Sequence, residues 1–314
     1  MTRTVVKALQ LWGLERADFA LAAQRENEVW QVSDGARRLA LRFHRPGYRT
    51  ETELASELAW MEMLGQGGLK APRPLRQKTG ALLGEIEGRF VSVLTWLDGR
   101  PIGKTGKLDP DLDPFETGRL VGLEMARLHD LSDHWAPPDV FMRPDWGQSG
   151  LLGPDPLWGR FWEHPDLDAD QRDLMIATRD RARARFDEFA PNADRGLIHA
   201  DLVAENVLFD SGTVAFIDFD DGAWGYRDFD LATVLIKFLG QPEYSSLRAG
   251  LCAGYAMRRP VRPATLDFML LLRALTYPGW IMSRLDEPGG RQRSARMLDT
   301  ALRLAREFTE ERHR

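Results

Sequence analysis

His199, Asp201 and Asn206 stand in the order H-x-D-x-x-x-x-N inside residues 196–230, GLIHADLVAENVLFDSGTVAFIDFDDGAWGYRDFD. An apolar run, 214–217, leads to Asp218, with Asp220 and Asp221 beside it, and Asp228 and Asp230 close the stretch. These are the parts that phosphoryl transfer needs. Asp201 would accept the proton of an attacking hydroxyl, and Asn206 and Asp218 would hold magnesium on nucleotide phosphates. Asp220 is a further, weaker candidate for the metal. Amide and carboxylate oxygens are hard donors that suit magnesium. The His residues are scattered and Cys252 is the only cysteine, so nothing points to zinc.

Each fragment alone is short. Asp201 could cap a helix, Asn206 could sit in a turn, and 218–221 could end a strand. In order, and joined by an apolar strand, they point to phosphotransfer.

The elements around them are consistent with that chemistry. Val5, Val6, Leu9 and Leu11 suggest a short opening helix. Strands are expected at 19–23, 28–33 (EVWQVS) and 38–44 (RLALRFH), with a hairpin signal at Asp34-Gly35. In the third, Leu39, Leu41 and Phe43 face one way and Arg38, Arg42 and His44 the other. Residues 50–65 change to helical period and end at Gly67-Gly68. Two more extended pieces are expected, near 75–83 with a turn at Thr79-Gly80, and at 89–97 after Gly88. This predicts a small antiparallel sheet with one main helix over 1–97. Residues 98–114, rich in Gly, Pro and Asp, read as a linker. A larger, mostly helical domain follows over 98–314, with helices at 115–131, 168–189, 228–239, 244–257, 263–283 and 290–312. The fold class is α+β.

Bulk properties exclude several alternatives. The 314 residues carry a net charge of -5, so no global basic field favours nucleic acid. The hydrophobic share of 43% and charged share of 28% are those of a soluble globular protein. No apolar stretch is long enough to span a membrane, and the first residues lack a signal-peptide pattern. A single cysteine makes an intramolecular disulfide impossible and a cytoplasmic location the expectation. Cys252 itself reads as a small core residue.

The segments HADLVAENVLF and IDFDDGAWGYRDFDLA resemble the HGDLHPGNIL and IDWEDAxxGDPxxDLA motifs of the aminoglycoside phosphotransferase / choline kinase family. The resemblance covers most of the chain. In the first domain (ENEVWQV, LALRFHRPGYR, ELASELAWME, LKAPRPL) it is similar to homoserine kinase type II-like and stress response kinase A-like members. It implies a protein-kinase-like, two-lobed fold and ATP- and Mg2+-dependent transfer to a hydroxyl. By position, Asp201 would be the catalytic base, Asn206 and Asp218 the metal ligands, and Asp230 a brace for the catalytic loop, with His199 mainly structural. Arg42 stands where the family has a phosphate-binding lysine, and it can bind phosphate bidentately. Its helix partner would be Glu57, with Glu53 as the alternative.

The phosphate-covering loop, 22–27 (AAQREN), has no glycine, and Asn27 would serve there by its side chain. Thr95, Trp96 and Leu97, with Asp98, would form the hinge whose backbone meets adenine. Trp224, Tyr277, Trp280, Arg284 and the aromatics of 146–162 are candidates for an acceptor wall, able to hold a cationic amine by cation–π contact, although core packing is the commoner use of such rings. Only eleven residues, 219–229, separate Asp218 from Asp230. A peptide platform needs more, so the expected acceptor is a small metabolite such as homoserine, an amino alcohol or an aminoglycoside-like compound. The alternatives are a stress-response-type serine/threonine protein kinase and a catalytically weak, kinase-like binding or regulatory protein. No nucleic-acid or membrane partner is expected, and the chain would be a monomer or homodimer.

Overall fold

A computed structural model describes residues 2–24, 27–190 and 193–310. They form two compact units. The first comprises Met1–Ile102, Asp130–Arg143 and Glu205–Asp220, and the second Gly103–His129, Pro144–Ala204 and Asp221–Arg314.

In the first unit, α1 (Thr2–Gln10) precedes β1 (Asp18–Gln24), β2 (Glu28–Asp34) and β3 (Arg37–Phe43). After α2 (Glu51–Gln66) come β4 (Leu83–Ile86) and β5 (Arg89–Thr95). The sheet is antiparallel in the order β1-β2-β3-β5-β4. Local signals set its turns. β2 and β3 are joined through Gly35, at φ 59, and β4 and β5 through Glu87 and Gly88, at φ 54 and 77. Positive φ at the first central residue, as at Gly35, or at both, as at Glu87 and Gly88, gives turns whose twist matches the flanking strands.

The alternation in β3 serves two faces. Leu39, Leu41 and Phe43 join Val5 and Leu9 of α1 in one core, while Arg42 reaches Glu57 of α2 on the other face. Thr50 starts α2 with a capping box shared with Glu53, a motif that satisfies two otherwise orphan N–H groups.

Two expectations need correction. Of the extended piece near 75–83, the turn at Thr79-Gly80 is found, where Gly80 N–H donates to Gln77 O at 2.9 Å, but the strand begins only at Leu83. Pro72 and Pro74 lack a donor N–H, and the chain closes on itself where Gln77 N–H donates to Ala81 O at 2.7 Å. The segment 98–114 is built rather than a bare linker. It contains β6 (Arg100–Pro101), β7 (Gly103–Lys104) and β8 (Lys107–Leu108). β7 and β8 form a hairpin of their own, and β6 pairs with β11 (Val207–Asp210), which in turn pairs with β12 (Thr213–Phe216).

The second unit is mostly helical. It contains α3 (Pro114–Asp133, of which residues 130–133 belong to the first unit), α4 (Gln148–Leu152) and α5 (Ala169–Phe189). Further on are α6 (Arg227–Ile236), α7 (Tyr244–Ala256), α8 (Pro263–Ile281) and α9 (Gly290–Glu310). A small sheet has the order β10-β13-β9, from β10 (Arg195–Ile198), β13 (Ala223–Tyr226) and β9 (Asp145–Trp146). Helix α8 is the apolar centre, with Leu266, Met269, Leu272 and Ile281 all buried. Each such side chain contributes roughly 1.5–3 kcal/mol by leaving water. Cys252 is half-buried on α7 rather than in the core.

Helices α3 and α7 meet through glycines. A Cβ on Gly118 or Gly122 would lie 2.3 or 2.1 Å from the carbonyl oxygen of Leu247 or Leu251, and one on Gly250 or Gly254 would lie 2.0 Å from that of Phe115 or Arg119. This close approach brings His129 of α3 to Tyr255 of α7. In an ordinary helix interior, glycine to alanine stabilises by about 1 kcal/mol. Gly254→Ala should instead destabilise by about 2 kcal/mol, since backbone must move to admit the methyl. A lower urea midpoint with unchanged slope is the expected result; a raised midpoint would contradict the packing described.

Candidate functional site

The loop after β10 is fixed by one buried carboxylate. Asp230, on α6 and fully buried, accepts from Ala200 N–H at 2.7 Å and from His199 N–H at 2.8 Å. His129 Nε2 lies 3.0 Å from the same carboxylate, and His129 Nδ1 lies 2.9 Å from the Tyr255 hydroxyl. Ala200 has φ 65, a left-handed conformation unusual for a residue with a side chain. Burial would raise the Asp230 carboxyl, but the His129 hydrogen bond and the backbone donors hold it below the usual range. Burial first, and then Arg227, push His129 down to about 4, against the pull of Asp230. The histidine is therefore neutral at pH 7, with Nε2–H donating to Asp230 and Nδ1 accepting from Tyr255.

The next residue, Asp201, is the carboxylate singled out by the motif. Arg273 Nη2, from the centre of α8, donates to its Oδ1 at 2.8 Å. Burial, with Asp221 adding to it, raises the Asp201 carboxyl to about 6, while Arg273 and Lys237 oppose the shift. Arg273 was not foreseen. Its one sequence signal is that it is the only charged residue in 268–282, FMLLLRALTYPGWIM.

In the first unit, strand pairing brings Asn206 and Asp218 together. Val207 pairs with Phe216, and Ile217 N–H donates to Asn206 O at 3.0 Å, so both residues flank the same end of the β11–β12 hairpin. Asp218 also holds a left-handed backbone, at φ 66, a conformation that costs about 1–3 kcal/mol and marks functional loops. An amide oxygen and a carboxylate there fit magnesium, which keeps waters and takes nucleotide oxygens for its remaining positions.

Asp220 lies within a charged cluster. Arg42 donates through Nη1 to Asp220 Oδ1 at 2.7 Å and through Nη2 to Glu57 Oε1 at 2.5 Å. Asn27 Nδ2 donates to Asp220 Oδ2, and the Asn27 Oδ1 accepts from Arg45 N–H at 3.0 Å. Arg143 donates to the Asp220 carbonyl at 2.6 Å and lies 3.8 Å from Glu57 Oε2. Burial would lower Arg42, but Glu57 and Asp220 more than offset it and raise it. Burial would likewise raise Asp220, and Arg42 more than offsets that, leaving it below the usual range. The structure thus brings Arg42 together with Glu57, while Glu53 takes part in the capping box. Arg25 and Glu26, of the glycine-free loop, lie outside the described residues. At the expected hinge residues, Thr95 N–H donates to Arg73 O at 2.8 Å and Trp96 N–H to Arg38 O at 3.0 Å. Adenine meeting Thr95, Trp96 or Leu97 would therefore need other backbone atoms than these two N–H groups.

The aromatics are mostly packed and already face cations. Trp146, 1% exposed, stacks on Phe229 at 5.5 Å and meets Trp158 edge-on at 5.1 Å. The Arg273 guanidinium lies over Trp158 at 4.5 Å and Tyr277 at 4.7 Å, Arg284 over Trp280 at 4.3 Å, and Arg179 over Trp162 at 4.3 Å. Trp224 is half-buried on β13. Packing is thus the use found for most of these rings, and Trp158, Tyr277, Trp280 and Trp162 face the chain's own arginines where an acceptor's ammonium group was the candidate occupant.

A model of the phosphotransferase enzyme family matches residues 20–266. A homoserine kinase of Chelativorans sp. (strain BNC1) is 28% identical over 74% of this chain and 69% of its own length. Among solved structures, a microcompartment-associated aminopropanol kinase is 26% identical, with a TM-score of 0.84 over 99% of this chain and 98% of its own. An amicoumacin kinase solved with AMP-PNP, Ca2+ and Ami shares the fold at 18% identity, with a TM-score of 0.77 over 96% of this chain and 92% of its own. The architecture is therefore the protein-kinase-like α+β fold. Among the described residues, no helix is long and apolar enough to cross a membrane.

The neutral, buried His129 makes stability pH-dependent. An unfolded histidine titrates near about 6.5, whereas in the fold it does so at about 4. Between those values the unfolded chain binds a proton that the folded chain does not, so stability falls as pH is lowered through the window, by up to roughly 3 kcal/mol. His129→Gln keeps a donor toward Asp230 and removes the titration. Denaturant unfolding from pH 7 to 4 should show a shallower loss in the variant; equal slopes would contradict a neutral His129.

Proposed function

This chain belongs to the phosphotransferase enzyme family and is an enzyme of the kinase type; from that premise we propose that it transfers the γ-phosphate of ATP, with magnesium, to a hydroxyl of a small amino alcohol or hydroxy amino acid. The observation that carries the small acceptor is the use made of residues 219–229. β13 lies between β10 and β9, and α6 begins at Arg227, which leaves no length of chain to seat a peptide. The relatives that act on homoserine and aminopropanol support the same class of acceptor.

In this reading Asp201 orients the acceptor hydroxyl and takes its proton as phosphate is transferred. Burial keeps its carboxyl near about 6, close to the pH at which a general base works best. Asn206 and Asp218 would hold the magnesium, which neutralises charge on the nucleotide phosphates, with Asp220 as a further candidate. Arg42, braced by Glu57, would supply the phosphate contact usually made by lysine, as a fork rather than a point charge. Asn27 would close over the same phosphates, and Thr95, Trp96 and Leu97 would line the adenine pocket. Arg42 and Asn27 both bond to Asp220 in this structure, so nucleotide binding would exchange those contacts for phosphate oxygens.

The direct test is ATP consumption against a panel of homoserine, 1-amino-2-propanol, ethanolamine, choline and aminoglycosides. Magnesium-dependent turnover with one of the first three is expected; turnover only with a protein acceptor would overturn the reading. With the acceptor found, Asp201→Asn should lower kcat at least about a hundredfold with folding intact, and near-normal turnover would remove it as the base. Asp218→Ala should weaken ATP binding in magnesium about tenfold or more by calorimetry, whereas unchanged affinity would remove it as a ligand.

A further inference from the structure

We propose that Arg273 is a positioning residue for Asp201, fixing the orientation and the ionised state of that carboxylate from the core of α8. This rests on the reading of Asp201 as the proton acceptor.

Arg273 is fully buried. Among the described residues it makes one ion pair, from Nη2 to Asp201 Oδ1 at 2.8 Å, while its Nε and Nη1 are buried without a hydrogen-bond partner. Among the described residues, its charge is otherwise stabilised by ring faces: Trp158 at 4.5 Å, Tyr277 at 4.7 Å and Phe229 at 5.5 Å. A guanidinium is weakly hydrated and stacks on aromatic faces, so this cage holds it with the fork aimed at Asp201. Lysine would not fill the same space or keep the same direction.

The pairing is unusual because the carboxylate is the one that must react. A buried cation with a single carboxylate partner opposes protonation of that partner, since the neutral acid would leave the cation uncompensated. Burial pulls the other way, as does Asp221, while Lys237 assists Arg273. His199 is a further titratable group beside it, with its ring nitrogen 3.4 Å from Asp201 N. Trp158, Tyr277 and Phe229 do not need to touch an acceptor to matter, because they set where the arginine points.

The test is the titration of Asp201 itself in the full chain labelled with carboxyl-13C aspartate, the resonance assigned by its loss in Asp201→Asn. In the wild type it should titrate near about 6. In Arg273→Met it should move to higher pH by at least about one pH unit, and in Arg273→Lys by less. An unchanged midpoint in Arg273→Met overturns the proposal. This readout needs no acceptor, so it fails or holds independently of the phosphotransfer reading.

With an acceptor in hand, Arg273→Lys should lower kcat about tenfold or more with KM for ATP unchanged. It should lower it no further in an Asp201→Asn background. Equal losses in both backgrounds would mean that Arg273 only supports the fold, and would overturn the proposal even if Arg273→Met does not fold.

Discussion

The Asp230 carboxylate is the constraint on which the candidate catalytic loop depends. Two successive amides, His199 and Ala200, turn toward it, and a third donor, His129, arrives from a different helix. A buried N–H without a partner costs about 1–3 kcal/mol, and hydrogen bonds to a charged acceptor are about twice as strong as neutral ones. Together they hold Ala200 in a left-handed conformation that it would not choose by itself. That turn fixes the direction in which the chain leaves β10 and so where Asp201 begins. Behind it, Tyr255 keeps the neutral tautomer of His129, and the glycine contact of α3 with α7 keeps Tyr255 within reach.

The two units bury charge in different ways. In the first, Arg42 and Arg143 face Glu57 and Asp220, so the cluster balances cation against anion, with Asn27 and backbone carbonyls supplying further hydrogen bonds. Removing any one member of such a group leaves an uncompensated buried charge, which is costly. In the second unit, Arg273 is held by aromatic faces, with Asp201 as its ion-pair partner. The first arrangement is suited to exchange: a phosphate can replace a carboxylate on Arg42 without changing the sign of its surroundings. The second is suited to holding still, which the role proposed for Asp201 requires.

Much of this was legible in the residues because the signals were local. The 2.0 period of β3 and the 3.6 period of α2 marked out the strand and the helix, the family resemblance named Arg42 and Glu57 as partners with Glu53 as the alternative, and the Arg42–Glu57 pair is found at 2.5 Å. Apolar periodicity placed most of the helices within a few positions of where they are found. In the segment 75–83 the turn at Thr79-Gly80 was legible but the strand was misplaced, because the chain meets β5 only in a single bridge, Pro74 with Leu94, before it turns at Gln77. Arg273 was not legible as a partner of Asp201. The two are 72 residues apart, and no local pattern says which loop a lone charge in an apolar helix will meet. The aromatics likewise showed their composition but not their occupants, since which cation covers which ring is decided by tertiary packing.

Amide hydrogen exchange at His199 and Ala200 tests the central constraint most directly. Both lie just beyond β10, outside regular secondary structure, where exchange is ordinarily fast. If Asp230 holds them, both amides should be protected to nearly the level of the α8 core, and in Asp230→Asn, whose side chain has one acceptor oxygen instead of two, at least one should lose about tenfold or more of that protection. Rapid exchange in the wild type, or protection unchanged in Asp230→Asn, would contradict the account.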